Sequence, residues 1–172
     1  MLYLHCTNKL VENLRIPISD QKKIYIESFL LDWTATYFWF KDTRVYLFVN
    51  NKTLFSFIAK EIILSTLKLD ITAGIIDSLH KENISIENIT PVISKINDII
   101  FVKNTNRIIL GSINQIVYFY QYNLNISEDI DNVNITEIER KVNRVPFKYL
   151  SYIYPVDVMK DKLRKEGLYD GK

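Results

Sequence analysis

Trp33-Thr34-Ala35-Thr36-Tyr37-Phe38-Trp39-Phe40 is the stretch that decides the fold. It consists almost wholly of aromatic and β-branched side chains, which fit a pleated, packed surface. Lys41-Asp42-Thr43-Arg44 then makes a polar turn, and Val45-Tyr46-Leu47-Phe48-Val49 returns as the partner strand. Asn50-Asn51-Lys52 supplies a second turn, because asparagine tolerates the left-handed backbone of tight connections. Thr53-Leu54-Phe55-Ser56-Phe57-Ile58 adds a third strand. Together these residues predict an antiparallel meander.

Toward the N-terminus, Leu2, Leu4 and Cys6 alternate with Tyr3 and His5, the period of a short strand. Thr7 stands at the N-cap position of a helix over 9–14, and Pro17 closes that turn. Residues 19–31 read as a connection with room for a short helix. Toward the C-terminus the period changes: Ile63, Leu67, Ile71, Ile75 and Leu79 recur every four residues and predict a helix over 60–80, weakened at Gly74. A second helix is expected over 86–96, then a short strand at Ile99-Ile100-Phe101-Val102 and a polar turn from Lys103 to Arg107.

Ser112 reads as the N-cap of a further helix with an apolar stripe of Ile113, Ile116, Val117, Tyr120 and Leu124. Residues 125–134 are a polar, acidic connection. Thr136-Glu137-Ile138-Glu139 has the form of a capping box, 145–155 is aromatic, and 157–166 is expected to be a surface helix. The fold expected is α+β: an antiparallel sheet of four or five strands with helices packed mainly on one face. Residues 1–125 form a compact domain in this reading. Residues 126–172 are a polar connection and a C-terminal aromatic and helical extension packing on it.

Composition agrees with one domain. The 172 residues are 48% hydrophobic and 24% charged, with only four Gly and four Pro, so a linker-rich or disordered chain is excluded. Eleven Tyr and nine Phe allow a dense core. The net charge of +2 lacks the basic excess of a non-specific nucleic-acid binder. From Arg140 onward nine Lys/Arg face four Asp/Glu, so any positive patch is C-terminal; a solvated helix face accounts for it equally. Cys6 is the lone cysteine, which places the chain in a reducing, cytoplasmic compartment. No apolar run is long enough to span a bilayer, so no membrane partner is expected.

Four motifs in order carry a resemblance: Leu4-His5-Cys6-Thr7-Asn8-Lys9-Leu10, Leu31-Asp32-Trp33, Asn50-Asn51-Lys52-Thr53, and Lys103, Thr105, Arg107 with Leu110-Gly111-Ser112 and Asn114. Over about residues 1–125 the chain resembles a bacterial domain family of unknown function. His5 replaces that family's usual basic residue, Asn8 a lysine, and Gln115 a frequent acid. The resemblance implies a shared fold and polar cluster, and no chemistry.

The residues themselves yield no catalytic constellation, and they decide neither for nor against an enzyme. Two histidines and one cysteine cannot build an ordinary zinc site, so no metal is expected. No cofactor motif is present, since Gly111 stands without a phosphate-binding glycine pattern. His5 and Cys6 are adjacent on a strand and point to opposite faces, which argues against a catalytic pair. Asp129 with Asp131, and Glu137 with Glu139, read as solvated acids. The candidate ligand-binding residues are Lys103, Arg107, Ser112 and Asn114, forming an anion site at a helix start, with Thr7, Lys9, Asn50 and Thr53 nearby if strand ends converge. In each case the plainer role is capping, turn formation or surface charge. Trp33, Tyr37, Trp39 and Tyr46 near Lys41 and Arg44 also match an aromatic and basic nucleic-acid face, although core packing explains them as well. Three functions are expected in order: an interaction or regulatory protein with a protein partner, of the kind found in a mobile element, phage or toxin–antitoxin-like locus; a small-ligand or nucleotide-handling enzyme; and a nucleic-acid-binding protein.

Overall fold

The computed structural model describes residues 1–19, 25–126 and 133–171. Asp129 and Asp131 lie outside the described residues, as does most of the expected polar connection. The described chain runs β1 (Leu2–Cys6), α1 (Asn8–Leu14), a 3₁₀ turn (Phe29–Leu31), β2 (Asp32–Phe40), β3 (Thr43–Asn50), β4 (Ser56–Ala59), α2 (Leu67–Lys81) and α3 (Thr90–Ser94). It continues with β5 (Ile99–Lys103), α4 (Arg107–Asn125), α5 (Ile135–Val142), a 3₁₀ turn (Lys148–Leu150) and α6 (Pro155–Lys165).

The class is α+β and the meander β2-β3-β4 is antiparallel, but the sheet is mixed. Its order is β4-β3-β2-β1-β5, and β1 pairs parallel with both neighbours, Leu4 facing Trp33 on one side and Phe101 on the other. The expectation of a purely antiparallel sheet is therefore corrected. Its physical cause is that β1 connects to β2 through a crossover that contains α1, and β4 to β5 through one that contains α2 and α3, and such crossovers leave strands parallel.

Helices cover both faces, which corrects the expectation of packing mainly on one. Leu2, Leu4, Cys6, Trp33, Ala35 and Phe48 face a core closed by α1, α2, α3 and α6. Phe38, Phe40, Val45, Leu47 and Val49 face a second core closed by α4 and α5. Consecutive residues of β3 from Val45 to Asn50 are all buried, and a strand buried on both faces needs cover on both.

Two helices begin elsewhere than expected. α2 starts at Leu67, with Leu67, Ile71, Ile75 and Leu79 buried as the four-residue spacing predicts. Gly74 stays inside it because a Cβ there would run into the Phe57 ring. α4 starts at Arg107, capped by Asn106, whose side chain accepts from the N–H groups of Ile108 and Ile109. Ser112 is therefore in the second turn, its hydroxyl donating to Ile108 O at 3.1 Å, and is no N-cap. The buried stripe of α4 begins one turn earlier than the sequence pattern places it, at Ile109, and continues through Ser112 and Ile113. α6 is less of a surface helix than expected, since Val156, Met159 and Leu163 are buried in the first core.

Candidate functional site

Parallel β1 and β5 lie side by side, and the chain leaves them in opposite directions. From β1 it turns into α1 on one face; from β5 it turns into α4 on the other. Backbone groups cannot fill the gap this opens at the carboxyl ends of the strands, so such switch points form crevices. The ladder carries the flanking residues into position: Asn104 N donates to Cys6 O at 3.0 Å, and Thr7 N to Ala35 O at 3.2 Å.

The crevice measures about 360 Å³ and is lined by Thr7, Asn8, Lys9, Thr36, Asn104, Asn114 and apolar residues of α4. Thr7 and Thr36, both buried, share one hydrogen between hydroxyl oxygens 2.9 Å apart. Either can donate, so the second hydroxyl hydrogen is uncommitted. The Lys9 ammonium stands 5.1 Å from the Tyr37 ring centroid, and partial burial lowers its pKa with no carboxylate to offset that. The lining contains no acid. Chemically the crevice offers a cation, a hydroxyl donor and three amides, those of Asn8, Asn104 and Asn114.

A buried polar row runs across the sheet from the crevice. Asn104 Nδ2 donates to Thr34 Oγ1 at 2.8 Å, Thr34 Oγ1 to Asn51 Oδ1 at 2.6 Å, and Asn51 Nδ2 to Asp32 Oδ1 at 2.7 Å. His5 Nε2 ends the row, 3.1 Å from Asp32 Oδ1. That contact is close but not aligned as a hydrogen bond, and Nε2 has no other partner although buried. The neighbouring Cys6 thiol donates to Leu4 O at 3.6 Å, and burial pushes its pKa up to about 12, so it is inert as a nucleophile.

Of the residues singled out from the sequence, Thr7, Lys9 and Asn114 converge in this crevice. Lys103 and Arg107 are exposed and line neither it nor the cleft at His5. Ser112 is buried and bonded within α4. Asn50 and Thr53 belong to a different place: the Asn50 side chain donates to Phe29 O at 2.8 Å and accepts from Lys52 N, Thr53 N and Thr53 Oγ1. Both are fully buried and hold the β3–β4 turn. Thr34, Thr36, Asn104 and Asp32 escaped the sequence reading. Hydroxyls, an amide and an acid on an otherwise apolar, two-sided sheet were the available signal.

The aromatic face is largely internal. Trp33 and Tyr46 are buried, and the Arg44 guanidinium sits 5.0 Å from the centroids of both Tyr37 and Trp39. One face of each of those two rings thus meets a cation of the same chain, while Trp39 stays about half exposed.

Among the described residues no group of three or more His, Cys, Asp or Glu is placed to hold a metal ion. No described helix is long and apolar enough to cross a membrane.

The chain belongs to the domain of unknown function DUF6933, whose family model matches residues 3–158. The match runs from within β1 to within α6 and so extends past the 1–125 segment that carries the four motifs. Neither the curated proteins nor the solved structures gave a match.

Proposed function

We infer that the chain binds a small anion, a carboxylate or phosphate group, in the crevice between β1 and β5. The observation that carries this is the Lys9 ammonium, standing at an acid-free cleft and, among the described residues, with no carboxylate partner. A ligand anion supplies the missing countercharge, the free Thr7 or Thr36 hydroxyl donates to it, and the Asn104 and Asn114 amides flank it. Lys103 and Arg107, exposed at the same end of the sheet, steer the anion without lining the crevice. A reducing cytoplasm suits a chain whose one cysteine is buried and unpaired.

Titration of the full chain with inorganic phosphate, followed by NMR, tests the reading. The Lys9 side-chain and Thr7 amide signals are expected to move, and Lys9→Met to weaken binding about tenfold or more, the loss of a charge-assisted hydrogen bond. Equal phosphate binding by Lys9→Met overturns it.

A protein partner has separate support. Tyr118, Tyr122 and Ile126 are more than half exposed along α4, and Tyr152 and Ile153 are so in the segment before α6. Aromatic side chains of this kind are common interface anchors.

A further inference from the structure

A second cleft, of about 250 Å³, opens at the other end of the polar row, beside the first turn of α4. Its chemistry differs from that of the Lys9 crevice. His5 and Asp32 meet there, Asn51 and Asn104 border them, Ile109 and Tyr149 supply apolar wall, and Lys52 adds a positive charge. We propose that this cleft binds a small neutral polyol, of monosaccharide size, through the Asp32 carboxylate and the His5 imidazole.

The argument starts from unused hydrogen-bonding capacity. An ionised carboxylate accepts at about four positions. Asp32 is 5% exposed at its side chain, yet among the described residues it receives only the Asn51 amide at 2.7 Å and a misaligned approach from His5. Burial of so poorly supplied a carboxylate is costly unless hydroxyl donors reach it. His5 Nε2 is likewise buried and unpartnered. The two groups lie 3.1 Å apart and both line the cleft, so neighbouring hydroxyls of one ligand can address both, one donating to the carboxylate and the next bonding the partly exposed imidazole once its ring turns to the cleft.

The geometry is also preorganised. The amides of Asn51 and Asn104 are locked by Thr34, so the row does not have to reorganise when a ligand arrives. The aliphatic face of Ile109 and the Tyr149 ring suit the C–H faces of a sugar ring. The ligand is neutral because the cleft holds charges of both signs, Asp32 against Lys52, whereas the Lys9 crevice holds only a positive one.

Ribose, glucose and glycerol, each titrated at millimolar concentration into the full chain and read by NMR, are the probes. Ribose or glucose is expected to shift the His5, Ile109 and Tyr149 signals. Asp32→Asn, nearly isosteric, weakens that binding about tenfold, the loss of one hydrogen bond to a charged acceptor. His5→Ala, at a partly exposed position, weakens it too, and thermal melts confirm that both variants fold. Lys9→Met leaves sugar binding intact while removing phosphate binding, so the two readings fail separately. The proposal is overturned if none of the three probes moves those signals. Sugar binding that survives both Asp32→Asn and His5→Ala, or that disappears in Lys9→Met, overturns it as well.

Discussion

Asn143, the C-cap of α5, bonds both backbone groups of Ser56 in the edge strand β4: its Oδ1 accepts from Ser56 N at 2.8 Å and its Nδ2 donates to Ser56 O at 2.9 Å. One helical turn earlier, Glu139 Oε1 accepts from Ile58 N at 3.0 Å. Two side chains four apart on one helix thus take the place of a neighbouring strand. Open strand edges template association with other chains, and this one is closed by side chains.

Asn143→Ala leaves the Ser56 N–H and C=O buried without partners. Each such group costs roughly 1–3 kcal/mol, so the variant should lose about 2–4 kcal/mol in urea unfolding. It should also self-associate at concentrations where the parent stays monodisperse. A loss below about 0.5 kcal/mol, the range of ordinary surface changes, would show that water replaces the amide without cost.

Gly74 and Gly111 should respond oppositely to alanine. Both lie inside helices, where alanine gains about 1 kcal/mol over glycine. At Gly111 the added methyl meets nothing within 4 Å, so the variant is expected to be stabilised by about that amount. At Gly74 the methyl overlaps the buried Phe57 ring, and overpacking of about 1–3 kcal/mol outweighs the gain. Thermal melts of the two variants check this, and a shift of the same sign in both counts against the packing described for Phe57.

Glu139 gives the fold a pH dependence. Burial raises its pKa, only partly opposed by the Ile58 N–H and by Lys81. A raised folded-state value means that the folded chain holds this proton more tightly than the unfolded one. The stabilisation is complete below the ordinary glutamate range and is lost as pH rises through the raised value. Glu139→Gln removes that titration. Urea unfolding at a series of pH values should show the difference between parent and variant moving in favour of glutamine as pH climbs from the ordinary glutamate value of 4.5. A difference that stays level across that range contradicts the burial of an ionisable group at this position.

Local pattern was a good guide wherever both partners of a contact were close in sequence. Trp33–Phe40 and Val45–Val49 pair as β2 and β3 in the register their turn imposes, Phe40 opposite Thr43. Leu2, Leu4 and Cys6 do share a buried face. What local pattern does not encode is direction and neighbour: nothing in Leu2–Cys6 says that Ile99–Lys103 lies beside it, or that the two run parallel. The start of α4 was missed for a related reason. Asn106 and Ser112 are both good capping residues, and only tertiary burial of Ile109 decides between them. The candidate site was legible in part. Thr7 and Lys9 stand where β1 passes into α1 and converge with Asn114 of α4, whereas Asn50 and Thr53 have the same residue character but serve the turn that contains them.

The place of β1 in the sheet bears on how the chain acquires its structure. β1 is flanked on both sides, and its register joins Leu2 to Ile99, a separation of more than half the chain. The meander β2-β3-β4 closes through short turns and so assembles early, while β1 waits for a partner synthesised long after it. Until β5 arrives, β1 has only one neighbour, and the crevice between the two strands does not exist. Anion binding there therefore reports completion of the sheet's most distant pairing, Leu2 with Ile99, and stabilises the folded chain through it.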